Sequence, residues 1–152
     1  MGAFFVASSE QSPLRGQWWQ WAPRVRDRSP NMPLLEALTL LRALQELELH
    51  HRLRPGQILP WFTDCDPARR AVKRGYSPKP DLNRIVTAIH AYDVVILPCW
   101  IPTDINLADP YSRRHDFVPP FTEIPLCLQG TPLWAYVTHP SYKGILPPRR
   151  RG

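Results

Sequence analysis

The alternation of apolar and polar positions divides the N-terminal half of the chain into strands and a long helix. Residues 2–6 form a short apolar run and residues 15–21 an aromatic one, and the polar turn between them predicts an antiparallel hairpin. From residue 34 to residue 47 leucines recur every three or four positions, which predicts a helix packed on a sheet. Ser29 or Asn31 is the expected cap of this helix.

The pattern continues with two strands and two shorter helices. Apolar runs at residues 58–63 and 94–100 predict strands, and the second run is nearly continuous, as is typical of a strand covered on both faces. Between these two strands, turn signals precede two predicted helices, over residues 67–74 and 82–91. Helices that alternate with strands in this way indicate an α/β fold.

Local signals mark the ends of these two helices. Asp66 is the expected cap of the first, with Pro67 at the first helical position and Gly75 as the stop. Lys73 and Arg74 lie in its last turn. Asp81 is the expected cap of the second helix.

The C-terminal part has a different composition. Residues 115–152 are rich in proline and carry scattered aromatic side chains, and they end in Arg149, Arg150 and Arg151. We expect a domain over residues 1–114 and an extended, basic tail over residues 115–152. The tail either contacts phosphates or a protein surface, or is simply solvated.

Composition and charge narrow the class of protein. The chain has 152 residues, of which 43% are hydrophobic, so one domain with a real core is expected. Its formal net charge of +6 favours a polyanionic partner, most simply a nucleic acid. A merely basic protein, or one embedded in a large ribonucleoprotein, is the alternative.

The cysteines and the hydropathy predict a compartment. The 3 cysteines are isolated, without a metal-binding spacing, so we expect them to be reduced. No stretch approaches the ~20 apolar residues of a membrane span, and the first residues do not resemble a signal peptide. The prediction is an intracellular protein, in cytoplasm, nucleus or organelle, that has no membrane partner.

Three acids lie where predicted elements begin or end. Asp64 follows the strand 58–63, Glu36 falls in the first turn of the long helix, and Asp109 lies in a short helix or turn after the last strand. The carboxyl edge of a parallel sheet is a common ligand site. The plainer interpretations are a capping acid for Asp64 and a solvated acid, favoured by the helix dipole, for Glu36.

Four pieces of sequence resemble a known family. They are Gly2–Val6, Pro33–Leu38, Thr63-Asp64-Cys65, and the run Asn106 to Arg113 with its Asn, Ala-Asp and Ser-Arg. Together with the order of elements over residues 1–114, they resemble the ribonuclease H fold. The closest similarity is to the ribonuclease H domain of retroelement (retrotransposon) reverse transcriptases.

The resemblance implies a mixed sheet with flanking helices and a two-metal nuclease site. In the family, four carboxylates hold two Mg²⁺ ions about 3.5–4 Å apart. This two-metal site cuts the RNA strand of an RNA–DNA hybrid. Glu36, Asp64 and Asp109 match three of the four, as catalytic residues and metal ligands. The family's first strand, which carries the fourth acid, has no counterpart here, and Cys65 stands where the family has Asn.

Several explanations of the missing strand are open. The chain starts after it, another polypeptide or the tail fills its place, or the fold is rearranged. Asp66 and Asp104 are nearby acids, but neither stands at the first-strand position. If active, the protein is a Mg²⁺-dependent endoribonuclease; Mg²⁺ is expected only if the acidic site functions.

These observations favour a degenerate ribonuclease H-like domain that serves as a nucleic-acid-binding or structural subunit of a larger, ribonucleoprotein assembly. The alternative is an active ribonuclease H within a retroelement reverse transcriptase, and a third hypothesis is a small protein adaptor. Expected partners are RNA or an RNA–DNA hybrid, and a protein that completes the sheet or binds the tail. The basic residues expected to contact nucleic acid are Arg69, Arg70, Lys73, Arg74, Arg149, Arg150 and Arg151.

Overall fold

A computed structural model of the chain describes residues 2–21, 32–113 and 120–143. The described residues form a mixed α/β fold with four α-helices and two small sheets. In chain order the elements are β1 (Gly2–Val6), β2 (Arg15–Trp19), α1 (Met32–Leu49), β3 (Gln57–Thr63), α2 (Asp66–Arg74), α3 (Pro80–His90), β4 (Val94–Trp100), β5 (Thr122–Glu123) and α4 (Pro132–Thr138).

The predicted N-terminal hairpin is confirmed. β1 and β2 pair antiparallel, with Gly2 opposite Trp19 and Val6 opposite Arg15. The indole of Trp19 is buried and packs edge-on against Phe4, with the ring centroids 6.1 Å apart. This aromatic packing gives the small sheet its own apolar core.

The second sheet is formed by β3 and β4, which pair in parallel with Gln57 opposite Val94 and Thr63 opposite Trp100. A parallel pair needs a crossover connection, and α2 and α3 supply it. The leucine stripe of α1 packs on both of these helices, and Leu44, Val72 and Val86 are almost completely buried there. The strands, the long helix and the crossover helices predicted from the sequence are therefore present.

The prediction that β4 is covered on both faces is wrong for the described residues. Ile58, Val95 and Leu97 are 60%, 48% and 46% exposed, whereas their neighbours along each strand are half-buried. One face of this sheet packs on the helices and the other is open. A continuous apolar run is compatible with a strand covered on one face and with a strand covered on both. The sequence therefore did not distinguish these two arrangements.

The helix ends differ from the prediction in detail. Asp66 is the first residue of α2, and Cys65 occupies the cap position without a side-chain cap bond. Asp81 likewise lies in the first turn of α3, which Lys79 precedes as the cap residue. Gly75 ends α2 with φ 79°, as predicted, because a left-handed residue there favours glycine. The predicted caps Ser29 and Asn31 lie outside the described residues.

The C-terminal part is not simply an extended tail. Residues 122–123 add a third strand to the first sheet beside β2, and residues 132–138 form α4. The ring of Phe121 is buried against Phe4, and the hydroxyl of Tyr142 donates to the carbonyl oxygen of Trp100 at 3.1 Å. The tail prediction is thus wrong for residues 120–143. Residues 114–119 and 144–152, with the terminal arginines, lie outside the described part.

Two coarse properties complete the description. No helix in the described ranges is long and apolar enough to cross a membrane. Cys65, Cys99 and Cys127 are all free thiols.

Candidate acidic site in the inter-sheet groove

One cavity of about 1820 Å³ is bordered by both sheets and by the long helix. Its lining includes all of β1, residues 59–62 of β3, and one side of α1 from Met32 to Leu47. We call this cavity the inter-sheet groove. The groove reaches the carboxyl end of β3, where the predicted acids lie.

Glu36, Asp64 and Asp109 all line the groove. Glu36 projects from the second turn of α1, since this helix begins at Met32 and its first turn holds no acid. Asp64 directly follows the last residue of β3. Asp109 lies in the loop after β4, between two 3₁₀ turns. The structure therefore brings the three acids predicted from sequence to one cavity.

A hydrogen bond ties Glu36 to the end of β3. The hydroxyl of Thr63 donates to a carboxylate oxygen of Glu36 at 3.1 Å, and the same hydroxyl accepts the backbone N–H of Cys65 at 3.1 Å. Thr63 is buried, so this contact is shielded from water. The Thr63 hydroxyl thus links helix α1 to the first turn after β3. The sequence motif includes Thr63 but does not indicate this hydrogen bond.

The pKa of Glu36 is raised to about 7. Burial is the largest cause, since it penalises the charged carboxylate, and repulsion from Asp64 comes next. The hydrogen bond from Thr63 opposes the rise, and Asp109 adds a smaller repulsion. Both neighbouring acids therefore act on Glu36, and the carboxyl group changes charge near neutral pH. A solvated acid on an exposed helix face would not behave in this way.

Asp109 is held by its own loop. The side-chain oxygen of Asn106 accepts the N–H of Ala108 at 3.1 Å, and the hydroxyl of Ser112 donates to the carbonyl of Asp109 at 2.7 Å. The Asp109 carboxylate lies 3.0 Å from the guanidinium of Arg113, four residues on. The Asn, Ala-Asp and Ser-Arg of the sequence motif thus form one local hydrogen-bonded turn.

The donor chemistry of the groove suits Mg²⁺, because hard divalent cations prefer carboxylate oxygens. The spacing does not, since no group of three or more acidic, histidine or cysteine side chains in the described ranges lies close enough to hold an ion. The charges of Asp64 and Asp109 act on Glu36, but the three carboxylates do not surround a single point where one ion could bind.

Neither nearby acid supplies a fourth carboxylate. Asp66 accepts from the guanidinium of Arg69 at 2.6 Å and lies 2.7 Å from that of Arg70. The charge of Asp66 is therefore balanced by arginines of its own helix, α2. Asp104 is exposed in the 3₁₀ turn Thr103–Ile105 and does not line the groove.

The predicted phosphate contacts have three different outcomes. The side chain of Arg69 is only 3% exposed and is paired with Asp66, so its assignment as a nucleic-acid contact is wrong in this fold. Arg70, Lys73 and Arg74 are exposed on α2, and Arg70 also lines the groove. Arg149, Arg150 and Arg151 lie outside the described residues.

An exposed aromatic side chain lies next to the exposed basic residues of α2. The ring of Tyr76 is 57% exposed just after Gly75, and the guanidinium of Arg74 lies over it, 5.5 Å from the ring centroid. We call Arg70, Lys73, Arg74 and Tyr76 the basic face. A tyrosine directly after a basic helix end was the available signal for a surface that can stack on a base.

Comparison with protein-family models, with curated proteins and with solved structures gave no match. The assignment of function therefore depends on the geometry of the groove and of the basic face.

Proposed function

We propose that this protein is a ribonuclease H-like domain that binds nucleic acid and serves as a binding or structural subunit of a larger ribonucleoprotein assembly, without cutting by itself. The observation that carries the proposal is the meeting of Glu36, Asp64 and Asp109 at the end of β3. They come from three separate segments, in the order expected from the ribonuclease H resemblance. Asp66, two residues after Asp64, is paired with Arg69 and Arg70 instead of joining the three acids, which supports the non-cutting form.

The basic face supports a polyanionic ligand. Arg70 is 64% exposed at the rim of the groove, and Lys73 and Arg74 follow at helical spacing. Cations at this spacing can neutralise successive phosphates, while Tyr76 offers a ring for a base. A nucleic-acid strand on this face would run towards the acidic end of the groove.

A specific observation favours a second candidate, an active two-metal ribonuclease H within a retroelement reverse transcriptase. The pKa of Glu36 is raised mainly by burial and further by repulsion from Asp64 and Asp109, and a divalent cation would relieve the repulsive part. The candidate requires the carboxylates to move closer together and a fourth acid to join them.

The first prediction concerns binding and cleavage of a labelled RNA–DNA hybrid by the full chain. We expect salt-sensitive binding and no cleavage in Mg²⁺ or Mn²⁺. Replacing Lys73 and Arg74 by Gln together should weaken binding about tenfold and lower the salt dependence by about two phosphate contacts. Filter binding over a range of salt concentrations, with single-stranded RNA and duplex DNA as competitors, measures both effects.

Matched variants make this result interpretable. Replacing Arg52 and Arg54 by Gln removes the same charge from another exposed site and should change binding much less. Cleavage that disappears in Asp64→Asn but persists in Asp104→Asn would establish the active nuclease instead. An absence of binding to all three nucleic acids would refute both candidates.

A further inference from the structure

The inter-sheet groove is bordered by two strands that each have one edge left unpaired by the described residues. In the described ranges, β1 pairs with β2 alone and β3 pairs with β4 alone. Both β1 and residues 59–62 of β3 line the groove. The two sheets therefore present edges to the same cavity, and unpaired edges are templates for another strand.

The backbone of β3 shows which groups remain available. The N–H of Ile101 donates to the carbonyl oxygen of Thr63 at 3.0 Å, so Thr63 directs its backbone polar groups towards β4. Because these groups alternate along a strand, those of Phe62 and Pro60 point to the opposite edge. Pro60 lacks an N–H, but its polar groups point away from β4, so no hydrogen bond between β3 and β4 is lost. This explains how a proline lies inside a paired strand.

The lining of the groove indicates the side chains of its occupant. Along its length the groove is mainly apolar, with Phe4, Leu40 and Trp61 among its walls. At one end it carries Glu36, Asp64 and Asp109, of which Asp109 is paired with Arg113 in the same lining. An occupant with alternating apolar side chains and a positive charge at one end would match both features.

We propose that the inter-sheet groove receives an extended strand of a partner polypeptide, with alternating apolar residues and a Lys or Arg that meets the three acids. The strand would hydrogen-bond to β1 and to β3 and would join the two sheets. This inference rests on the unpaired edges and not on nucleic-acid binding, so the two can fail separately.

Synthetic peptides of the length of β3, which has 7 residues, test the proposal. The probe is fluorescein-labelled Lys-Val-Thr-Val-Thr-Val-Lys, whose two lysines allow either direction of insertion. One control carries Asp at both ends, and another keeps the lysines but has N-methylated threonine amides. Fluorescence polarisation measures binding to the full chain, and hydrogen exchange of β1 and β3 amides locates the site.

We expect the lysine probe to bind at least about tenfold more tightly than either control and to slow exchange of the Phe62 amide. Phe62→Pro should abolish binding, whereas Phe62→Val, which keeps the amide, should retain it. The preference for lysine should shrink in Asp64→Asn.

Equal binding of the N-methylated peptide would overturn strand addition even if Phe62→Pro is unfolded. Tighter binding of the Asp peptide would overturn the charge assignment. A concentration-dependent dimer that excludes the probe would assign the groove to a second copy of the chain.

Discussion

Replacing Asp66 by alanine is expected to lower the free energy of unfolding by about 3–5 kcal/mol. The side chain of Arg69 is 3% exposed and its guanidinium donates to Asp66 at 2.6 Å. Without the carboxylate, a buried positive charge would lose its partner and could not be solvated. The second pair of Asp66, with Arg70, is exposed and adds less than about 1 kcal/mol. Urea unfolding followed by circular dichroism measures the change.

Two comparisons identify the cause of this loss. Asp81 is also a first-turn acid but is exposed, so Asp81→Ala should cost only about 0.3–1 kcal/mol from the helix dipole. Combining Asp66→Ala with Arg69→Met removes both charges and should recover much of the stability. A loss below about 1 kcal/mol in Asp66→Ala would contradict the buried-pair interpretation.

The second large effect is a pH-dependent gain in stability on replacing Glu36 by glutamine. In the folded protein the pKa of Glu36 is about 7, against an ordinary value of 4.5, so the folded state binds more protons between these values. Ionising Glu36 therefore costs folding free energy as pH rises from about 4.5 to about 7, and the full cost remains above pH 7. Glutamine has no charge to bury and still offers an oxygen to Thr63.

We expect the stability of Glu36→Gln relative to the natural protein to increase by about 2–3 kcal/mol between pH 4 and pH 8. Urea unfolding of both proteins at several pH values measures this difference. In an Asp64→Asn background the increase should be smaller, because one source of repulsion is gone. A difference that does not change with pH would show that Glu36 is not buried against the other acids.

The local elements were predictable from the sequence because local signals determine them. The leucine spacing of α1, the Pro67 start and Gly75 stop of α2, and the apolar runs of β3 and β4 all act within a few residues. The position of Asp64 at the end of β3 followed from the same signals, whereas Glu36 lies in the second turn of α1 and not in the first, because the helix begins at Met32. The meeting of Glu36, Asp64 and Asp109 at one groove was expected only through the ribonuclease H resemblance.

The features that the sequence did not reveal depend on contacts distant along the chain. Phe121 is buried because it stacks on Phe4, and no periodicity near Phe121 indicates this. Arg69 looks like any exposed helical arginine until the packing of α2 on β4 and α1 buries it. The open face of the second sheet likewise depends on which elements pack there and not on the residues Val95 and Leu97 themselves.

The central claim is that Glu36, Asp64 and Asp109 form one electrostatically coupled site. Titration of ¹³C-labelled glutamate carboxyl groups by NMR tests it most directly. We expect the Glu36 resonance to titrate near pH 7, and its midpoint to fall in Asp64→Asn and, by a smaller amount, in Asp109→Asn. A midpoint near 4.5, or one that neither substitution moves, would contradict the coupled site and the proposals of function that depend on it.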